Sequence, residues 1–248
     1  MFVRANLTTF NDDLRCLMNG KIMFSYNKKL INFRSALPSL TLGDKMFLGA
    51  GIEIFNTKLP SLASAECMFR LCLNLKYVNT CIPNLCFAQG MFGYCLNLKH
   101  IDLSENSGMC LYNADDMFIG CPNLTHCKLN LSYLETGENM FGIGSYSAYG
   151  TDSSHEIQGH RITYGQVYGN PKLDIESIEY MANTIKNWSN QYTDSNLNIN
   201  TTPHKITLGI DCSAENYTSS GYKEHIDKIK SRGWQVTLFD NTGSQINH

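Results

Sequence analysis

The sequence predicts an α/β protein, in which a solenoid of about six stacked turns with a parallel β-ladder is followed by a small α/β C-terminal cap. Three observations predict this fold. The dipeptide Met-Phe recurs every 22–26 residues, apolar residues recur in register before each copy, and the C-terminal part alternates helix and strand patterns. A repeat this short cannot bury its own apolar side chains, so consecutive repeats must stack on one another.

The Met-Phe pair marks each repeat and begins at positions 23, 46, 68, 91, 117 and 140. Three copies continue as Met-Phe-x-x-Cys-x-Asn-Leu, with Cys72, Cys95 and Cys121 at the cysteine position. We expect each pair to lie on a short helical or 3₁₀ turn that faces inward. A small residue three places before each methionine should permit a tight bend or a close approach of the backbone. These residues are Gly20, Gly43, Ala65, Ala88, Ala114 and Gly137.

Apolar positions before each pair form three further columns. The first column contains Phe10, Phe33, Phe55, Val78, Ile101 and Cys127. The second contains Leu14, Leu37, Leu59, Ile82 and Leu131, and the third contains Leu17, Leu40, Leu62, Leu85 and Leu134. Segments such as 98–103 should form parallel strands about 4.8 Å apart, with the prolines at 38, 60 and 83 fixing the corner that follows. The one longer repeat places an insertion near 106–108.

The C-terminal part reads as helix, strand, helix, strand. Asp174 is a predicted N-cap for a helix whose apolar residues recur at helical spacing through Ile185. A strand over 206–210, a helix over about 222–232 stopped by Gly233, and a strand over 234–238 follow. This module can cap the last edge of the solenoid. We therefore predict a solenoid over 1–144, a Tyr/Gly/Ser-rich loop over 145–170 and a capping module over 171–248.

Composition narrows the function classes. Hydrophobic residues make up 43% and charged residues 17% of the chain, which argues for a folded protein and against disorder. A net charge of -2 gives no electrostatic reason to bind nucleic acid. No apolar run reaches 18 residues, so no membrane insertion is expected. The N-terminal residues lack the apolar region of a secretory signal, so we expect no export by the usual route.

The ten cysteines are interpreted as reduced thiols. Most occupy recurring positions of the repeat, where a thiol acts as a small hydrophobic group. Stacked cysteines such as Cys72 and Cys95 would be near enough for a disulfide, but parallel in-register stacking points their side chains the same way. No Cys-x-x-Cys pair occurs, so the spacing of a zinc ribbon is absent.

The candidate contact residues lie in the loop over 145–170. Its composition suits an adaptable recognition loop, while the alternative is a solvated connector. The candidates are Tyr146, Tyr149, His155, His160, Tyr164 and Tyr168. His155 and His160 stand five residues apart, not the four of the zinc-protease motif, so no metal is expected. His100 and His126 are interpreted as surface residues of a sheet face. We predict no catalytic, cofactor-binding or metal-binding residue.

The repeat resembles the BspA-type leucine-rich repeat, with Met in place of the Ala of the usual Ala-Phe-x-x-Cys-x-x-Leu. The segment Phe10-Asn11-Asp12-Asp13-Leu14 is similar to repeat proteins of gut Bacteroidales and their phages, including crAss-like phages. The C-terminal module, with its Gly-Trp-x-Val ending, resembles the module that follows such repeats in the same group. The resemblance implies a leucine-rich-repeat solenoid.

From this resemblance and the expected reduced thiols we expect a non-enzymatic binding or structural protein. The favoured function is a tail- or capsid-associated component of a phage virion, made in the bacterial host cytoplasm, with a role in host-surface recognition. Its partners would be virion proteins or a host receptor or glycan, with a homo-oligomer as a further option. The alternatives are a bacterial cell-surface adhesin of the BspA type and an intracellular protein-interaction scaffold.

Overall fold

The computed structural model describes residues 1–106, 108–145, 154–157, 160–163, 167–188 and 204–247. For residues 145, 154–157, 160–163 and 167–168 it describes the backbone. The chain is an α/β protein in which short parallel strands form small sheets and few helices accompany them. Within the described ranges, no helix has the length and apolar character needed to cross a membrane.

Each repeat contributes one strand of two or three residues. These strands are β1 (Thr9–Phe10), β2 (Asn32–Phe33), β3 (Ile54–Phe55), β4 (Tyr77–Val78), β5 (His100–Asp102) and β6 (His126–Lys128). All pairs are parallel, with β1 beside β2 and β3 to β6 in sequence order. The second residue of each strand is buried, so the predicted first column is confirmed. The segment predicted over 98–103 is a strand over His100–Asp102 alone.

The phenylalanines of the Met-Phe pairs stack on one another through the interior. Ring centroids of Phe24, Phe47, Phe69 and Phe92 are 5.6, 5.4 and 5.6 Å apart in sequence. The stack continues to residues 118 and 141 at 5.4 and 5.1 Å, and neighbouring planes lie within 9° throughout. All six rings are fully buried. The stacking fixes the separation of consecutive repeats at the spacing of paired strands.

A seventh Met-Phe pair, which was not predicted to be part of a repeat, stands at residues 1–2. The Phe2 ring stacks on Phe24 with centroids 5.5 Å apart and planes 9° from parallel. The Phe2 amide donates to the Met23 carbonyl at 2.8 Å. Residues 1–7 therefore pack as the second half of a repeat, and the signal was present in the sequence as the same dipeptide 22 residues before the next copy.

The expectation of a helical or 3₁₀ turn at each Met-Phe pair is wrong. The Met46 amide donates to Gly43 O at 3.0 Å, and Lys45 has a φ of 57°, a combination typical of a type II turn. The physical reason is that every second amide donates its hydrogen bond to a carbonyl of the neighbouring repeat. The Lys45 amide donates to Glu66 O at 2.8 Å and the Phe47 amide donates to Met68 O at 2.9 Å. A continuous helix would consume these amides internally.

The small residues before each pair do permit a close approach, though to side chains and not to backbone. A Cβ on Gly20 would lie 2.8 Å from Met46 Sδ, and one on Gly43 would lie 3.1 Å from Met68 Sδ. The next repeat's methionine therefore occupies the space where a larger residue would project.

The corners follow the sequence prediction. The Leu40 amide donates to Leu37 O at 3.3 Å, which places Pro38 at the second position of the turn, where its fixed φ is favourable. The longer repeat contains the buried side chain of Asn106. The Oδ1 atom of Asn106 accepts a hydrogen bond from the Ile82 amide at 2.9 Å. The inserted segment therefore supplies a side-chain hydrogen-bond acceptor to the corner of the preceding repeat.

All ten cysteines are free, as predicted. The thiols of Cys72, Cys95 and Cys121 each donate to a phenylalanine carbonyl of the preceding repeat at 3.1 Å. Burial raises the pKa of Cys72 and of Cys121 to about 12. The repeat cysteine is thus a small buried hydrogen-bond donor, and Asn27 takes the same role in an earlier repeat by donating to Phe2 O.

Four short strands follow the repeats. These are β7 (Gly144–Ser145), β8 (Ser154–Ile157), β9 (His160–Thr163) and β10 (Val167–Tyr168). Strands β8 and β9 form an antiparallel hairpin, and β10 pairs antiparallel with β7.

The C-terminal module has the predicted element order. It contains α1 (Ile175–Thr184), β11 (His204–Gly209), a 3₁₀ turn (Tyr217–Ser219), α2 (Gly221–Ser231) and β12 (Trp234–Phe239). Asp174 caps α1 as predicted, because its Oδ1 accepts from the Ser177 amide at 2.8 Å. Gly233, with a φ of 86°, follows the end of α2, as predicted. Strands β11 and β12 are parallel.

The module covers the backbone edge of the last repeat. The Gly137 amide donates to Lys205 O at 2.9 Å, and the Thr207 amide donates to Gly137 O at 3.1 Å. Beside β6, the Asp174 amide donates to Thr125 O at 2.8 Å. The carbonyls and amides that another repeat would have used are thereby paired.

We predict that Phe92→Ala lowers the free energy of unfolding by about 3–5 kcal/mol, because it opens a cavity in the middle of the ring stack. Chemical denaturation monitored by circular dichroism measures this change. Phe87→Ala is the matched control, since Phe87 is 52% exposed and its loss should change stability by no more than about 0.5 kcal/mol. Equal losses in the two variants would contradict the stacked core.

We also predict selective alkylation of the thiols by iodoacetamide in the native protein. Cys16 and Cys81 are exposed and should be labelled first. Cys72, Cys95, Cys121 and Cys127 are buried and have raised pKa values, so they should react only after denaturation. Peptide mass spectrometry after timed labelling measures the order. Early labelling of Cys95 would show that the repeats do not hold it as described.

Candidate functional site

The outward side of the repeat strands forms one column of six residues, of which five are exposed and His126 is half-buried. Side chains alternate between the two faces of a strand, so the first residue of each repeat strand points away from the core. We call this column the ladder face; its residues are Thr9, Asn32, Ile54, Tyr77, His100 and His126. Ile54 is 50% exposed and Tyr77 is 49% exposed. The column therefore presents apolar and aromatic surface to solvent along one side of the repeats.

A groove opens in the ladder face between β2 and β3. It has a volume of about 790 Å³, and its lining includes Asn32, Arg34, Pro38, Ile54, Lys58 and Pro60. Across the described residues the lining contains no acidic side chain. Arg34 and Lys58 form no ion pair within the same part of the chain. A ligand with carboxylates beside apolar groups would match this combination of charge and apolar wall.

Two histidines meet at the other end of the ladder face. His100 and His126 are in register on β5 and β6, and their rings stack with centroids 4.4 Å apart and planes 4° from parallel. Asp102 lies two residues after His100 and thus on the same face of the strand. One potential ligand atom from each of these three residues lies within 4.8 Å of the other two.

Asp174 connects this cluster to the C-terminal module. Its Oδ2 lies 2.8 Å from Nδ1 of His126, while its Oδ1 accepts from the Ser177 amide at 2.8 Å and the Ser177 hydroxyl at 2.6 Å. Burial alone would raise the pKa of Asp174, but the hydrogen bonds from Ser177 and His126 outweigh it and lower that pKa. Asp174 is therefore ionised at neutral pH and holds His126 in place.

Within the cluster, the pKa values of His100 and Asp102 are also lowered. Partial burial and the neighbouring His126 lower the pKa of His100, so its neutral form dominates at neutral pH. For Asp102 burial acts to raise the pKa, yet the hydrogen bonds from Ser104 outweigh it and lower the pKa. The cluster thus combines neutral imidazole at His100 with a carboxylate at Asp102.

The prediction that both histidines lie on a sheet face is confirmed, but their combination with Asp102 and Asp174 was not predicted. The contact between the two histidines could have been predicted from the sequence. Aligning the repeats puts His100 and His126 in the same column, which in a parallel stack makes them neighbours. The contribution of Asp174 depends on how the C-terminal module docks, and no local pattern encodes that contact.

The predicted contact loop is described only in part. Tyr146, Tyr149 and Tyr164 lie outside the described residues. His155 lies on β8 and His160 on β9, where His160 pairs with Ile157 across the hairpin. For both histidines and for Tyr168 on β10, the structure describes the backbone and not the side chain. The hairpin differs from the helix on which a zinc-protease motif is built, and the role of the loop in recognition stays a prediction.

A separate row of exposed aromatic residues lies on another side of the repeats. Ring centroids of Phe87 and Tyr112 are 6.3 Å apart, as are those of Tyr112 and Tyr133. Phe87 and Tyr133 are 52% and 47% exposed. Phe87 and Tyr133 do not line the groove between β2 and β3, so this row offers a comparison surface for tests of the ladder face.

Comparison with known proteins gives no relative from which a site could be transferred. No protein-family model, no curated protein and no solved structure matches the chain.

Proposed function

We propose that residues 1–144 form a leucine-rich-repeat solenoid and that the protein is a non-enzymatic binding and structural component of a phage virion. Two features support the solenoid. One strand per repeat pairs in parallel with its neighbours, and one phenylalanine per repeat continues a single buried ring stack. Short repeats that contact their neighbours in this way are typical of solenoid proteins.

The observation that carries the binding proposal is the groove in the ladder face. Arg34 and Lys58 stand there beside the exposed Ile54, and the ladder face continues to Tyr77. Exposed apolar surface that is rimmed by charge is typical of protein interfaces. The partner would be another virion protein or a host-surface receptor, with acidic groups that meet the two cations.

The placement in a virion draws on the thiols and on the resemblance of the repeats. Ten free cysteines, two of them exposed, suit a chain that folds in a reducing cytoplasm. A virion protein is made there and is released when the host cell lyses. The similarity of the repeats to proteins encoded by phages of gut Bacteroidales supports the same assignment.

We predict that mass spectrometry of purified phage particles detects the chain at a constant ratio to the major capsid protein. Particles from a phage that lacks the gene are the control and should lack its peptides. Detection on the surface of uninfected bacteria would support the adhesin alternative, and detection only in the cytoplasm would support the scaffold. Either result, with none in particles, would overturn the virion assignment.

The ladder face can be tested in the same particles. We expect the double change Arg34→Glu and Lys58→Glu to reduce incorporation of the chain, or adsorption of particles to the host, by about tenfold, the effect of losing about 1.4 kcal/mol. Quantitative peptide mass spectrometry and adsorption assays measure these two outcomes. The control replaces Phe87 and Tyr133 by Ala on the aromatic row. If the two double variants behave alike, the groove is not the contact surface.

A further inference from the structure

We propose that His100, His126 and Asp102 form a binding site for a divalent transition metal ion of the class of Zn²⁺, with Asp174 orienting His126. The site lies on the ladder face at the end farthest from the groove. It goes beyond the proposed function, since the repeat and its groove need no metal.

The strand geometry brings the three ligands to one face. His100 and Asp102 are two residues apart on β5, and side chains at that spacing point the same way. His126 lies directly opposite His100 on the neighbouring parallel strand. Two imidazoles and a carboxylate are therefore neighbours on paired strands, and the strand pairing fixes the positions of their Cα atoms before any metal arrives.

The distances require only side-chain rotation. Ligand atoms around a tetrahedral metal with bonds of 2.0–2.1 Å stand about 3.3–3.5 Å apart. The three atoms here lie within 4.8 Å of one another, so each must move by about 1 Å or less to reach that spacing. The stacked rings must also tilt, because the lone pairs of two parallel rings do not converge on one point. His100 and Asp102 are exposed. The hydrogen bonds from Ser104 both end on Oδ1 of Asp102, so Oδ2 is the atom available to a metal.

The contact with Asp174 supplies the orientation that a metal-binding histidine needs. Metal-ligating histidines commonly donate their second ring N–H to a carboxylate, which fixes the tautomer and the ring position. Nδ1 of His126 lies 2.8 Å from Oδ2 of Asp174. With the proton on Nδ1, the lone pair of Nε2 is available to a metal. Asp174 is itself held by Ser177, so the contact is anchored at the start of α1.

The surrounding charge favours a cation. Asp102, Asp174 and Glu176 contribute three carboxylates, and Lys128 contributes one ammonium group. Lys128 stands opposite Asp102 in the strand register but contacts Glu176. The net charge around the two imidazoles is therefore negative, and the one lysine already has an acidic partner outside the ligand set.

The ligand types select the class of metal. Imidazole nitrogen suits zinc, copper, nickel and iron, whereas calcium and magnesium prefer oxygen alone. Three protein ligands leave one position of a tetrahedral ion open. Since the site faces solvent, that position can accept water or a carboxylate or imidazole of a bound partner. The metal would then act as a second anchor on the ladder face.

Isothermal titration of the full chain with Zn²⁺ at neutral pH tests the proposal. We expect one ion per chain, and at least tenfold weaker binding in His100→Asn, Asp102→Asn and His126→Asn. His225→Asn is the matched control, since His225 lies on α2 and is not one of the clustered ligands, and it should bind as the unchanged protein does. Equal affinity in the three cluster variants and the control would overturn the site. Circular dichroism of each variant establishes that it is folded.

Two further measurements separate this site from other ligands. Asp174→Asn keeps an N-cap side chain for α1 but removes the charge, so zinc binding should weaken by about 10–100-fold with the stoichiometry unchanged. An unaltered affinity would remove Asp174 from the site. The Co²⁺ complex should lack a thiolate-to-cobalt charge-transfer band. Such a band would place the ion on cysteine and contradict the proposal.

Discussion

One phenylalanine per repeat stacks on the phenylalanine of the next repeat, from Phe24 to Phe141. Rings at 5.1–5.6 Å with nearly parallel planes require every repeat to keep the same rotation and rise as its neighbour. The strand register, the thiol-to-carbonyl hydrogen bonds and the small residues beside each methionine all satisfy that one requirement. Each interior ring stacks on the ring before it and on the ring after it, so the loss of one phenylalanine would interrupt the stack on both sides.

Much of this architecture was predictable because periodicity in a stacked chain is visible in sequence. The buried columns, the corner prolines and the Asp174 cap all follow from residue type and spacing. The turns at the Met-Phe pairs were not predictable from the sequence, because Lys45 and Tyr94 adopt positive φ although neither is glycine. Their φ values are 57° and 61°. Hydrogen bonds between repeats stabilise these conformations, and local propensity cannot report a bond to a residue more than twenty positions away.

The candidate sites also contain one part that the sequence could predict and other parts that it could not. His100 and His126 were visible as column neighbours, whereas Asp174 joins them only because the C-terminal module docks beside β6. The groove depends on how β2 and β3 are disposed, and no motif marks it. The ladder face thus carries two chemically different ends, a cationic groove and an imidazole cluster, connected by the exposed Tyr77. A partner that covers both ends would be recognised by charge at one and by ligand atoms at the other.

The buried Asn106 shows where such a chain can change its length. Its side chain replaces backbone groups at the corner of the longest repeat, while the turns and the ring stack of that repeat keep their usual register. The extra residues of this repeat are therefore accommodated between the strand and the corner without interrupting the ring stack. One repeat can thus be longer than the others while its rise stays unchanged, because a side-chain amide takes over a hydrogen bond that backbone makes elsewhere.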